Sequence, residues 1–134
     1  MTFIDLLRKP KKYQKMNDRV IAVDFDNTLC ESRYPECGEP IQYVCDLIRK
    51  LKSDGNIIIL WTCREGDSLR KAVDWCREYD VPIDYVNENP PERIALYGND
   101  SRKIGADLYI DDRSFNPLTP AGIEILQSLT NNQI

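Results

Sequence analysis

Acidic side chains follow directly after two short apolar runs of this sequence, and their type limits the chemistry they can perform. The aspartates concerned are Asp24, Asp26, Asp111 and Asp112. Carboxylates at the end of a buried apolar segment are costly unless a cation or hydrogen bonds compensate them. Because the 134 residues include no histidine, imidazole acid–base chemistry and His-ligated metals are excluded. Four carboxylates without soft ligands favour a hard cation, and Mg²⁺ fits best.

The first two aspartates have a spacing that suits a pair of reacting groups. On an extended segment, residues i and i+2 point to the same face, roughly 6.5–7 Å apart, and Phe25 then points the other way. One carboxylate could attack a group held between them while the other gives or takes a proton. Thr62, which follows another apolar run, could bind an anionic oxygen, and Lys103 could offset its charge.

The apolar runs before these residues predict strands, and the segments between them predict helices. β-Branched or apolar runs indicate buried strands at 20–23, 57–61, 83–86 and 108–110. Apolar residues at helical spacing predict helices that begin near residues 41 and 69 and a last helix at 123–129, whereas 93–97 is ambiguous. This alternation predicts an α/β fold, a Rossmann-like three-layer α/β/α domain with a central parallel sheet, whose strand ends bring the site residues to one edge.

The charge of the chain is uneven and distinguishes its first residues. The formal net charge of −4 makes no global electrostatic case for nucleic-acid binding. Residues 1–19 hold six basic and two acidic side chains, so this segment carries +4 and the remainder −8. We therefore predict a basic N-terminal extension at 1–19 and a single catalytic domain at 20–134. A short helix with a solvated linker is the simpler interpretation of the extension, and a partner- or nucleic-acid-binding arm is the alternative.

Apolar runs and cysteines favour a cytoplasmic location. The longest apolar run, 57–61, is too short to cross a bilayer, and we expect no signal peptide. Five cysteines without a close pair argue against a disulfide scaffold. A zinc site built from Cys30, Cys37 and Cys45 would lack a fourth ligand, so we interpret the cysteines as reduced, mostly buried thiols.

The order of the candidate residues resembles the haloacid dehalogenase (HAD) superfamily. The four motifs of that family are spread over residues 20–112: Asp-x-Asp-x-Thr after a strand, Thr62 after a second strand, then Lys103, then Asp-Asp after the last strand. Most members carry a cap domain after the first or third strand. Here the gaps at 29–40 and 88–102 leave no room for one, so the chain resembles the small, capless bacterial and phage members.

The resemblance implies a Mg²⁺-dependent phosphomonoester hydrolase with an aspartyl-phosphate intermediate. Asp24 would be the nucleophile, and Asp26 would protonate the leaving oxygen and then activate water. Asp24, the backbone carbonyl of Asp26 and Asp111 would hold Mg²⁺, with Asp112 in support. Members that dehalogenate lack the second aspartate, so Asp26 favours phosphoryl transfer. As a proton donor Asp26 needs a raised pKa, which we expect from its acidic neighbours and partial burial, with activity on the acidic side of neutrality.

The resemblance assigns the phosphate contacts to residues of the second and third motifs. Thr62 would bind the phosphoryl group and Lys103 would neutralise it, although Arg102 competes with Lys103 for that position. Arg64 is a further candidate for a substrate contact, weighed against a plain surface ion pair.

The expected partners and the alternative functions follow from an open site. The expected partner is a phosphorylated small molecule or a phosphate group on a macromolecule. We expect no membrane association, and the net charge gives no support for nucleic-acid binding. A homo-oligomer is possible, in which a second subunit would complete the open site. One alternative is a receiver-like Mg²⁺ and phosphate-binding module, which Asn87 after the middle strand disfavours. The other is a non-catalytic regulatory module acting through the basic arm, which the complete set of aspartates disfavours.

Overall fold

Four parallel strands form the sheet of this protein. A computed structural model describes residues 18–130 of the chain. The strands are β1 (Val20–Val23), β2 (Ile57–Leu60), β3 (Tyr85–Val86) and β4 (Leu108–Ile110). Their order across the sheet is β3-β2-β1-β4, and every pair is parallel. The sequence prediction of an α/β, Rossmann-like fold with a central parallel sheet is confirmed.

Helices alternate with these strands. They are α1 (Gln42–Ser53), α2 (Gly66–Glu78), α3 (Pro91–Tyr97) and α4 (Pro120–Thr130). The ambiguous stretch at 93–97 is therefore helical. Pro91 suits its first turn, where no backbone donor is needed, and Gly98 ends it in the left-handed conformation with φ of 79°. Among residues 18–130 no helix is both long and apolar enough to cross a membrane.

The described residues divide into two units, 18–112 and 113–130. The first contains the sheet with α1, α2 and α3, and the second contains α4. No domain is inserted between the strands of the first unit, since the segment 24–41 is a loop and the segment after β3 contains only α3. The predicted N-terminal helix and most of the basic extension lie outside the described residues, and the predicted domain boundary stays a prediction.

Alternation along the strands separates two apolar faces of the sheet. On one face, side chains of β1 and β2 pack against α1 and α2 in a cluster that includes Ile21, Val23, Ile58, Leu60, Ile48 and Trp75. On the other face, Val20 and Ile59 pack with Ile104, which precedes β4. Because both faces are covered, the strands are apolar throughout, as buried parallel strands require.

Three of the five cysteines are part of this interior, whereas Cys63 is exposed. All five are free, and Cys30, Cys45 and Cys76 are buried. Burial raises the pKa of Cys30 to about 11 and that of Cys76 to about 12, so both remain thiols near neutral pH.

Acidic residues at the amino edge of the sheet are neutralised within the chain. Asp84 accepts the Ile58 N–H at 2.8 Å and forms an ion pair with Lys52 at 2.8 Å. Asp107 accepts the Val20 N–H at 2.8 Å in the same way, and two arginines lie within ion-pair distance of it. These carboxylates satisfy the donors at the strand starts, so their role is structural.

Candidate active site

Three aspartates meet at the carboxyl ends of β1 and β4. The Asp24 N–H donates to the Ile110 carbonyl at 2.9 Å, which extends the pairing of the two strands. One carboxylate oxygen from each of Asp24, Asp111 and Asp112 lies within 4.8 Å of the other two. This set consists of oxygen donors alone, and one divalent cation could bridge it.

The cluster lies where the chain path reverses across the sheet. From β1 the chain adds β2 and then β3 on one side, whereas β4 joins β1 on the other side. In open parallel sheets, the crevice at such a switch point is the usual place for a ligand. The strand order therefore places the three carboxylates at the edge of the sheet where ligands of such folds usually bind.

Asp24 is in an unfavourable environment for an ionised carboxylate. Burial raises its pKa to about 7, and a hydrogen bond with the Asp112 carboxyl and the charges of Asp111 and Asp112 add to the rise. The Thr28 hydroxyl, which donates to Oδ2 of Asp24 at 3.1 Å, opposes it. A bound cation would reverse this balance, because positive charge favours the ionised carboxylate.

Thr28 connects the two strand ends. Its Oγ1 donates to Asp24 and accepts the backbone N–H of Asp112, both at 3.1 Å. The side chain is buried, so these hydrogen bonds hold Asp24 and Asp112 in a defined relation. Thr28 is the last residue of the Asp-x-Asp-x-Thr motif, and the motif alone does not indicate this role. Its position one turn after Asp24, where the Thr28 N–H donates to the Phe25 carbonyl, is the local signal.

Asp26 is separate from the acidic cluster and is bound by an arginine. Nη2 of Arg64 lies 2.7 Å from Oδ1, Nε lies 2.9 Å from Oδ2, and the Ser32 hydroxyl donates to Oδ1 at 2.6 Å. Burial opposes the ionised form, but the hydrogen bonds from Arg64 and Ser32 outweigh it and hold the pKa of Asp26 below its ordinary value. The sequence expectation of a raised pKa is wrong, because it could not foresee an arginine 38 residues further along the chain.

Arg64 is buried, with 2% of its surface exposed, and it donates hydrogen bonds to several groups around it. Besides Asp26, its Nη1 donates to the carbonyls of Pro35 and Ser68 at 2.7 and 3.0 Å, and its Nη2 donates to that of Glu36 at 3.3 Å. The alternative of a plain surface ion pair is therefore wrong. A direct contact between Arg64 and a substrate stays a prediction. The observed contacts of Arg64 hold the Asp26 carboxylate in place.

Thr62 is held in place by a residue from the neighbouring strand. Its N–H donates to Oδ1 of Asn87 at 2.8 Å, and Nδ2 of Asn87 donates to its carbonyl at 2.9 Å. Its hydroxyl accepts the Arg64 N–H at 3.1 Å. Asn87 adopts φ of 51°, a left-handed conformation that asparagine tolerates. No local sequence pattern indicates this role of Asn87, and the prediction that β3 is the middle strand is wrong, because β3 lies at an edge of the sheet.

Lys103 is not brought into contact with the aspartates. It is exposed, and its Nζ lies 5.7 Å from the centre of the Tyr109 ring. Within residues 18–130 no hydrogen bond or ion pair joins Lys103 to an aspartate. Its segment is anchored by Asn89, which accepts the Gly105 N–H at 2.8 Å. A phosphate contact by Lys103, or by the exposed Arg102 beside it, stays a prediction.

Comparisons with known proteins give one informative match. No protein-family model matches the chain, and no curated protein matches it. A chain in the solved structure of the Pnkp1/Rnl/Hen1 RNA repair complex is 13% identical, with a TM-score of 0.44, over 93% of this chain and 37% of that chain. A TM-score this low does not indicate a shared fold.

The informative match is the structure of a conserved protein coded by a locus of Bacteroides thetaiotaomicron. The two chains are 36% identical with a TM-score of 0.65, and the match covers 83% of this chain and 92% of that chain. This identity extends over most of both sequences. The chain therefore belongs to the same protein family as this conserved Bacteroides protein.

Proposed function

We propose that this protein is a Mg²⁺-dependent phosphomonoester hydrolase of the HAD superfamily, acting through an aspartyl-phosphate intermediate. The observation that supports this most is the convergence of Asp24, Asp111 and Asp112 in the crevice between β1 and β4. Asp26 follows Asp24 by two residues and supplies a separate carboxylate for proton transfer. The family resemblance of the motifs agrees with this division of roles.

The donor set fits Mg²⁺. Asp24, Asp111 and Asp112 would hold the ion, together with the Asp26 backbone carbonyl that the resemblance adds. When bound, a divalent cation compensates carboxylate charge and polarises phosphoryl oxygens. The raised pKa of Asp24 supports the assignment, since carboxylates this close together need a compensating positive charge to be ionised.

The carboxylates then divide the reaction between them. An oxygen of Asp24 forms a bond to phosphorus, and the leaving oxygen departs with a proton from Asp26. Asp26 next takes a proton from water, whose oxygen attacks phosphorus and releases Asp24. The ion pair with Arg64 favours ionised Asp26, the form that this second step needs. For the first step, the monoanion of a phosphomonoester, with a second pKa near 6, can bring the proton, which Asp26 accepts and passes on to the leaving oxygen.

The remaining candidates would bind the phosphoryl group. Thr62, whose backbone Asn87 holds on both sides, would donate its hydroxyl to a phosphoryl oxygen. Lys103 or Arg102 would neutralise the phosphate. The Nζ of Lys103 lies 5.7 Å from the centre of the Tyr109 ring, and Tyr109 belongs to β4, the strand that Asp111 and Asp112 follow.

A phosphate-ester assay with and without Mg²⁺ tests the proposal. We expect metal-dependent hydrolysis that falls by at least about 10³-fold in Asp24→Asn, because the amide cannot act as the nucleophile. The control is Asp67→Asn, the same substitution at a side chain on α2 that is 87% exposed, which should keep full activity.

Two results would contradict the assignment. Full activity in Asp24→Asn would exclude Asp24 as nucleophile. If the wild-type protein hydrolyses none of a panel of sugar, nucleotide and polynucleotide phosphates in Mg²⁺, the enzyme proposal fails and the regulatory-module alternative is favoured.

A further inference from the structure

An exposed aromatic ring lies beside the proposed proton-transfer group. Tyr34 is 67% exposed, and its ring centre lies 5.1 Å from the guanidinium carbon of Arg64. Nη2 of Arg64 is in turn 2.7 Å from Oδ1 of Asp26. Adding one C–N bond, the ring centre and that carboxylate oxygen are at most about 9 Å apart. This distance is within the reach of a small leaving group bound at Asp26.

The backbone on both sides of Tyr34 is held in place. Arg33 and Glu36 exchange backbone hydrogen bonds of 3.3 and 2.9 Å around it. The Pro35 carbonyl accepts Nη1 of Arg64 at 2.7 Å. A tyrosine has only two side-chain torsions, and here its backbone is already ordered. The ring therefore loses little conformational entropy on contact with a ligand, which makes it an effective binding surface.

We propose that Tyr34 determines specificity by stacking against a planar ring in the leaving group of the substrate. This rests on the proposed function, in which Asp26 delivers a proton to the leaving oxygen. The leaving group must then lie next to Asp26, and Tyr34 is an exposed ring within about 9 Å of that carboxylate. Stacking on tyrosine suits any planar ring. We therefore expect the protein to prefer phosphomonoesters of alcohols that carry a planar ring, such as nucleoside monophosphates. Sugar phosphates that lack the planar base should be poorer substrates.

Adenosine 5′-monophosphate and ribose 5-phosphate make a matched pair of substrates, because they differ by the base. We expect Tyr34→Ala to lower kcat/KM for adenosine 5′-monophosphate about tenfold, mainly through KM, and to change that for ribose 5-phosphate less than twofold. Tyr34→Phe should keep the wild-type preference, since it keeps the ring. Tyr43→Ala, at a tyrosine on α1 that is 75% exposed, is the control and should change neither substrate.

Several results would overturn the specificity role. An equal loss on both substrates in Tyr34→Ala would mean that the ring only supports Arg64. No loss on either substrate, or a loss of the preference in Tyr34→Phe, would exclude stacking. Phenyl phosphate distinguishes recognition of any planar ring from recognition of a nucleoside. If Tyr34→Ala lowers kcat/KM for phenyl phosphate, Tyr34 recognises any planar ring. If it lowers kcat/KM for the nucleotide alone, Tyr34 recognises a nucleoside.

A binding measurement keeps this proposal separable from the proposed function. Calorimetry on Asp24→Asn, with adenosine 5′-monophosphate and ribose 5-phosphate as ligands, does not require turnover. Tighter binding of the nucleotide that disappears on adding Tyr34→Ala supports the stacking role even if the wild-type protein hydrolyses neither. Hydrolysis of both esters without any dependence on Tyr34 overturns the stacking role and leaves the proposed function intact.

Discussion

Asp24 and Asp26 are two residues apart in the chain and lie in opposite electrostatic environments. Burial and two neighbouring carboxylates raise the pKa of Asp24 to about 7. Arg64 and Ser32 overcome the effect of burial at Asp26 and hold its pKa below the ordinary value. The cation that favours ionised Asp26 is thus part of the chain, whereas the Mg²⁺ that we propose would do the same for Asp24. The proposed nucleophile and the proposed proton-transfer group therefore depend on different sources of positive charge.

Removing the built-in cation should have the largest effect on stability. We expect Arg64→Gln to lower the free energy of unfolding by about 3–5 kcal/mol, since it leaves Asp26 partly buried without its partner and removes hydrogen bonds to three carbonyls. Urea denaturation measures the change. Arg70→Gln is the control, because Arg70 is 72% exposed and forms an ion pair with exposed Asp67, and it should change the value by less than about 0.5 kcal/mol. Equal urea midpoints for the two variants would show that Arg64 does not stabilise the protein through Asp26, and would contradict the proposed difference between the two aspartates.

Adding the external cation should stabilise the other region. We expect Mg²⁺ at about 100 times its dissociation constant to raise the free energy of unfolding by about 2.7 kcal/mol, because only the folded chain brings Asp24, Asp111 and Asp112 together. Thermal unfolding at constant ionic strength, with NaCl replacing MgCl₂, measures the gain. Asp111→Asn should reduce it, and Asp84→Asn, at the opposite edge of the sheet, should not. A gain that persists in Asp111→Asn would place the ion elsewhere.

A further expected effect is the pH dependence of stability without metal. A carboxyl whose pKa is raised from 3.8 to about 7 in the folded state binds more protons there than in the unfolded chain. The contribution of Asp24 to stability should therefore decrease as pH rises from about 4 to 7. Asp26 has the opposite sign, and its contribution should be lost only as pH falls below the ordinary carboxyl range through its lowered pKa.

Thermal unfolding in EDTA measures this difference. The melting temperature of Asp24→Asn should exceed that of the wild type by more at pH 8 than at pH 5, and Mg²⁺ should reduce the gap. A constant gap across this range would show that Asp24 does not titrate as its surroundings imply.

The elements that carry the site could be predicted from the sequence because their signals are local. The β-branched run at β1 and the apolar run at β2 indicate buried strands, and their bounds differ little from those observed. β3 is shorter than predicted, with two residues, and α3 was ambiguous because seven residues give little periodicity. Pro91 and Gly98 at its two ends were the usable signals.

The convergence of acidic residues could also be predicted, but their individual surroundings could not. Parallel strands bring their carboxyl ends to one edge, so Asp24, Asp111 and Asp112 were expected together. The pairing of Asp26 with Arg64 joins two loops that no local pattern connects, and the resulting pKa shift has the opposite sign to the expectation. Asn87 and Thr28 act through hydrogen bonds to backbone groups of other elements, which residue type alone does not reveal.

The sequence by itself determined the kind of chemistry available, because residue types do not depend on the fold. With aspartates after apolar strands and no histidine, imidazole chemistry is excluded and carboxylates become the leading candidates for proton transfer. Only the tertiary structure decided which carboxylates lie close together. The strand order sets β4 beside β1 and so brings Asp111 and Asp112 close to Asp24. The paths of two loops bring Asp26 into an ion pair with Arg64. Electrostatic effects depend on distance in space, and the chain path through the fold sets that distance.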